Sequence, residues 1–181
     1  MHLEQLNLSY SANEDRILVR IGLSKSDADQ TKPEIQFFLT RRLLERFWPV
    51  LLDAIKSHLR INRPEAAFAS EELMNMEHQE AVQNITESGN FGQNYEAENR
   101  TALNGERPFL ITTIKFHLQK DAPLWMQLFS ENGETIDLKL NTELLHGFCK
   151  LLIDLEKRSG WGLDLVMPKT EEMSVPAHML N

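Results

Sequence analysis

The sequence predicts an α+β fold: a duplicated β-β-β-α unit with pseudo-twofold symmetry, its antiparallel strands covered on their apolar face by two helices. Three observations predict it. Alternating apolar residues mark three short strands near the start of the chain and three more beyond residue 108. Each triplet runs straight into a polar capping residue followed by apolar residues at 3–4 spacing. Residues 35–54 also lie over residues 136–155 without a gap, so that strand, cap and helix positions coincide.

The elements follow in order. Leu6, Leu8 and Tyr10 alternate with polar residues, the pattern of a half-buried strand over about 3–10. A polar turn at 11–15 leads to a second strand, with Ile17, Val19 and Ile21 on one face. Residues 34–39 form the third. Thr40 is placed to cap a helix over about 41–60, because its hydroxyl accepts from a free amide of the first turn. Leu44, Phe47, Leu51 and Ile55 give that helix its apolar stripe, and Pro49 within it removes one backbone donor and predicts a kink. The second set repeats the order. Strands are expected at 109–119, 124–129 and 135–140, with Asn132-Gly133 as a hairpin turn, since both residues tolerate positive φ. Asn141 is then the cap of a helix carrying Leu145, Phe148 and Leu152.

In the ungapped overlay Ile35 meets Ile136, Thr40 meets Asn141, Phe47 meets Phe148, and Asp53 meets Asp154. Three strands and one helix cannot bury both a sheet face and a helix stripe, whereas two such units share one core. The expectation is one domain over 1–165, with repeats at about 3–60 and 108–158 and an insert at 61–107. A flexible tail is expected at 166–181. The insert is compositionally distinct: residues 60–107 hold nine acidic and four basic side chains. A helix is expected from Pro64 to Ile85, with Phe68, Leu73, Met76 and Val82 as its apolar points. It should dock weakly or bind a partner, and 86–105 should be mobile.

The chain has 181 residues, 41% of them hydrophobic and 25% charged, which places it among globular domains. The net charge of −8 disfavours a general nucleic-acid or anionic-membrane surface. The sequence has no apolar run near the ~20 residues of a membrane span, and MHLEQLNLSY lacks the features of a signal peptide. A cytoplasmic location is therefore expected. The one cysteine, Cys149, permits no internal disulfide.

The stretch Glu14-Asp15-Arg16-Ile17-Leu18-Val19-Arg20, followed by Phe38-Leu39-Thr40-Arg41-Arg42-Leu43 and Trp48-Pro49, resembles a pattern in a family of uncharacterised bacterial proteins. The resemblance covers about the first third of the chain. It implies a bacterial origin and carries over no catalytic residue. Phe38 stands where the pattern has tryptophan.

No catalytic, metal or cofactor constellation is read from the sequence. Cys149 lies among Phe148, Leu151 and Leu152, which suits an inert thiol better than a nucleophile with His146 as its base. The candidate site is Thr40, Arg41, Arg42, Arg46 and Trp48. Two arginines in a first helical turn oppose the macrodipole, and with the free amides there they would hold a phosphate or carboxylate. The alternative is that they pair with Glu34, Glu45 or the acidic insert. Trp48 is either an exposed anchor for a partner or a packing residue beside the kink. The expected function is a non-enzymatic protein-interaction module, an adaptor or regulator that self-associates or binds a protein partner. The alternative is a small anionic-ligand domain or enzyme. Its site would lie between the repeats, near Arg41, Arg42 and Thr142.

Overall fold

A computed structural model gives the arrangement of residues 2–24, 32–88, 95, 100–105 and 107–168. The expected α+β architecture is present. Strands β1 (His2–Ser11), β2 (Arg16–Ser24) and β3 (Lys32–Thr40) lead directly into α1 (Arg41–Asn62). A 3₁₀ turn (Pro64–Ala69) and α2 (Ser70–Ser88) follow. Then come β4 (Arg100–Ala102), β5 (Phe109–His117), β6 (Leu124–Ser130), β7 (Thr135–Leu140) and α3 (Thr142–Ser159). Both helix starts are capped as their side chains predict. Thr40 Oγ1 accepts from the Leu43 amide at 3.2 Å, and Asn141 Oδ1 accepts from the Leu144 amide at 2.9 Å. Gly160, at φ 68°, ends α3 in the left-handed conformation that glycine adopts without strain.

The strands form one seven-stranded sheet in the order β1-β2-β3-β5-β6-β7, with β4 also beside β3. Pairing is antiparallel within β1–β3 and within β5–β7, and β3 runs parallel to β5 through Phe37–Phe109 and Phe38–Leu110. The two meanders therefore follow one another head to tail. A twofold axis normal to the sheet would have set β3 against β7 or β1 against β5, so the strand order does not itself supply the expected twofold.

Helix placement joins the halves. Phe47 of α1 stacks on Phe116 of β5, ring centroids 5.9 Å apart, while α1 also packs on β3. Helix α3 packs on both β7 and β1. Leu6 of β1, Leu138 and Leu140 of β7 and Phe148 of α3 border one small apolar void, so the curled sheet brings its two ends under the same helix. Ile17, Val19, Ile21, Phe37, Met126 and Leu128 form the sheet side of the core, facing Leu44, Leu51, Leu145 and Leu152.

The insert departs from expectation in two respects. Its helix α2 is docked on α3 and α1, and its buried apolar residues are Met74, Ala81 and Ile85. Phe68 and Met76, two of the apolar points expected on that helix, are exposed, and Phe68 lies on the 3₁₀ turn before it. Residues 100–105, expected to be mobile, pair with β3. Lys32–Glu34 takes β4 in parallel, and the Leu103 amide donates to the Glu34 carbonyl at 2.8 Å. The Asn104 side chain then stands in for a peptide group: it accepts from the Gln36 amide at 3.1 Å and donates to the Gln36 carbonyl at 2.7 Å. This amide spans the step along β3 from β4 to β5. The remaining part of the expected mobile stretch, 89–94 and 96–99, lies outside the described residues.

The chain also stays docked past residue 165. Leu165 is buried, and the Val166 and Pro168 carbonyls accept from Trp48 Nε1 (3.2 Å) and Asn75 Nδ2 (2.7 Å). Residues 169–181 of the expected tail lie outside the described residues. Among the described residues no helix is long and apolar enough to cross a membrane.

Candidate functional site

The start of α1 places its candidate residues differently. Thr40 spends its hydroxyl on the Leu43 amide. Arg41, Arg42 and Arg46 are exposed, and none makes an ion pair with a described residue. Glu34, one of their expected partners, is turned to the opposite face of β3. Arg41 does act at a distance on Asp15. That carboxyl is held below the usual range first by the Trp161 indole N–H (2.6 Å), then by the Tyr10 hydroxyl (2.7 Å), with the Arg41 charge adding to both. Trp48 is not an exposed anchor. It is buried, and the Val166 carbonyl accepts a hydrogen bond from its indole N–H.

A second polar group, which the sequence reading missed, lies on the outer face of β2 and β3. Glu34 is only 5% exposed there. Its carboxylate accepts from the Tyr95 hydroxyl at 2.5 Å and from the Gln36 side-chain amide. The guanidinium of Arg100 lies 5.2 Å from the Tyr95 ring centroid and donates to Gln5 Oε1 at 3.2 Å; that of Arg20 lies 6.0 Å from the same ring. Burial, then the bond to Glu34, raises the Tyr95 phenol well above the ordinary tyrosine range. With both groups already bonded to each other, this cluster is a clasp that ties the end of the insert to the sheet.

A cleft also lies between the halves. The end of α1, α2, the β5–β6 turn and the start of α3 enclose about 290 Å³. Two latches hold its frame: His58 Nε2 lies 2.9 Å from the Ala122 carbonyl, and Asn62 Oδ1 accepts from the Asp121 amide at 2.7 Å. Arg63 Nη2 pairs with Glu77 Oε1 at 3.3 Å, and Glu77 Oε2 stands 3.7 Å from Nε2 of His146. His146 is fully buried, and neither ring nitrogen has a hydrogen-bond partner. An adjoining groove of about 320 Å³ shares Arg63, Glu77 and Thr142 and continues to Leu73 and Met76. Of the residues expected near a site between the repeats, Thr142 lines this cleft and Arg41 and Arg42 do not; the arginine comes from Arg63.

His78 of α2 meets His146 edge to face at 5.4 Å. Burial, helped by the charges of His146 and Lys150, lowers its pKa to about 4. The Cys149 thiol is fully buried, and burial pushes it up to about 12, which leaves no thiolate at neutral pH. Among the described residues no three His, Cys, Asp or Glu side chains converge as metal ligands would.

The corner between α1 and α2 is the last feature. Phe68, on the 3₁₀ turn, is 90% exposed, and Ile61 and Met76 are exposed in the same stretch of chain. Glu65 and Glu72 flank it, both exposed.

No protein-family model, curated protein or solved structure matches this chain. The bacterial-family resemblance at 14–20, 38–43 and 48–49 thus rests on those residues alone.

Proposed function

We propose that this protein is a protein-interaction module, an adaptor or regulator that holds its partner at the α1–α2 corner. The exposure of Phe68 carries this reading. Burying a phenylalanine contributes about 1.5–3 kcal/mol, and here a turn led by Pro64 holds the ring in water. Ile61 and Met76 are exposed in the same stretch of chain, and the nearby glutamates suit a partner with basic groups around an apolar pocket. The basic row Arg41, Arg42 and Arg46 on a second copy could meet those glutamates. Such a contact joins unlike surfaces and would build a ring or an open chain of copies, whereas a different protein needs one contact only and is the partner we favour. Arg41, Arg42 and Arg46 are then available to an acidic group of that partner.

The test places a photo-crosslinking residue at Phe68 of the full chain in its native cell, with Glu45 on exposed α1 as the control position. One adduct specific to position 68, lost when Met76→Asp is added at unchanged thermal stability, is the expected result. Equal adducts at both positions, or adducts only with a second copy, would overturn the reading.

We also infer that the two β-β-β-α segments are copies. The matched caps support this. So does the placement of each helix across the third strand of its own segment and the first strand of the other.

A further inference from the structure

Strand β7 ends the sheet, and no described strand lies beyond it. At the β6–β7 turn the Ser130 amide donates to the Glu134 carbonyl at 2.9 Å, and the register runs on from there without a shift. Hydrogen-bonded and non-hydrogen-bonded pairs alternate along such a ladder. Ile136, Leu138 and Leu140 therefore turn their amides and carbonyls to β6, while Thr135, Asp137 and Lys139 turn theirs to the open edge. That edge borders a cleft of about 550 Å³. Leu3 of β1, the other end of the sheet, lines it too, with Ile21 and Leu23 of β2 and Leu144 of α3. The small apolar void under β1 and β7 shares Leu3, Ile21 and Leu138 with the cleft. The Asp137 and Lys139 side chains are engaged on the outer face. Asp137 Oδ1 accepts from Trp125 Nε1 and Gln127 Nε2, each at 3.0 Å, and Lys139 Nζ lies 5.7 Å from the Trp125 ring centroid. What these two residues offer the cleft is main chain.

We propose that an extended segment of a different protein enters this cleft and adds to β7 as a further strand. Its main chain pairs with the outward amides and carbonyls of Asp137 and Lys139, and its alternate, apolar side chains lie on Leu3, Ile21 and Leu138. The walls argue for a lone segment. Either edge strand of a second copy would bring its own neighbour, β6 or β2, against the β1–β2 side of the cleft. Within residues 169–181 the alternating run Met173-x-Val175-x-Ala177-x-Met179 contains Pro176, and a strand held between β7 and β1 has no place for proline. The cleft shares no residue with the Phe68 corner, so either proposal can fail without the other.

The experiment is an amide NMR titration of the full chain with the capped pentapeptide Thr-Val-Thr-Val-Thr. Its analogues are N-methylated at the valines, N-methylated at the threonines, or carry aspartate in place of both valines. The parent peptide is expected to give saturable shifts at Asp137, Lys139 and Leu144 with a Kd of about 1 mM or tighter, and to slow hydrogen exchange at the first two amides. At least one N-methylated analogue should fail to bind, because its methyl groups replace the donors that face β7, and the aspartate peptide should not bind at all. Lys139→Pro removes one outward donor and no bond to β6, a position where an edge strand accepts proline. It should weaken binding about fivefold, the loss of one neutral hydrogen bond, with the thermal midpoint unchanged. Absence of saturable shifts, full affinity of both N-methylated analogues or of the aspartate peptide, or full affinity in Lys139→Pro would each overturn the proposal. Tighter binding of a peptide of residues 172–181, or shifts at Asp137 and Lys139 on diluting the chain alone, would give the cleft to this protein itself and overturn the choice of a different partner.

Discussion

Gly22 decides, by one missing carbon, which polar groups meet on the outer face of the sheet. A Cβ there would stand 2.4 Å from the guanidinium carbon of Arg100. Arg100 uses that space to cover the Tyr95 ring and reach Gln5. Gly22→Ala is therefore expected to displace the guanidinium. Because the obstructed atoms end a flexible side chain, the backbone need not move, and the cost should be about 1–2 kcal/mol, the scale of the contact with Tyr95 and the hydrogen bond to Gln5. Urea unfolding of Gly22→Ala, Arg100→Ala and the double variant checks this. The alanine should cost nothing once Arg100 is gone, and an equal cost in both backgrounds would show that the guanidinium is not what it strikes. This cluster was not legible in the sequence. Glu34 and Tyr95 are 61 positions apart, and their meeting depends on β4 pairing with β3, which no local pattern announces. The caps were legible because Thr40 and Asn141 each act on an amide only three residues away. Trp48 was ambiguous in the sequence because its cover comes from 118 residues downstream.

At the scale of the element, α2 shows where hydropathy misleads. The buried positions Met74, Ala81 and Ile85 share a stripe with His78, while the large apolar residues Phe68 and Met76 lie off it. A stripe filled by alanine and histidine scores weakly, so the helix was expected but its inward face was not. The same histidine makes the docking of α2 pH-dependent. His78 has a folded pKa of about 4 against 6.5 unfolded. Above 6.5 neither state is protonated, and this group adds no pH dependence. As the pH falls from 6.5 towards 4, the unfolded chain takes up a proton that the native helix pair refuses. Stability therefore declines through that window and flattens below it. The groups facing His78 include His146 and Lys150 of α3, both of which oppose a charge there. Thermal midpoints and hydrogen exchange of α2 amides across this range should show the decline. In His78→Phe, which keeps the ring contact but cannot titrate, the slope should be smaller. An unchanged slope would assign the acid sensitivity to other groups.

Across the whole molecule, the order of secondary structure was legible because each strand–cap–helix run is encoded within about twenty consecutive residues, as the ungapped match of 35–54 with 136–155 illustrates. The strand order was not, since nothing in 60–107 states which edge of the first meander receives the second. The observed answer makes the halves interdependent. Helix α1 needs β5 beneath Phe47, and α3 needs β1 beneath Phe148. Trp161 from the second half closes over Tyr10 at 5.8 Å and donates to Asp15 in the first. Each half alone would expose one side of its helix stripe and an unpaired inner edge strand, more apolar surface than three strands can leave in water. Cutting the chain between Asn90 and Phe91 should therefore give two fragments without a cooperative thermal transition. Mixed in equal amounts, they should regain one, with the Trp161 emission shifting as the indole leaves water. A cooperative transition in either fragment alone would mean that it holds a complete core of its own, and the account of a core shared between tandem halves would fail.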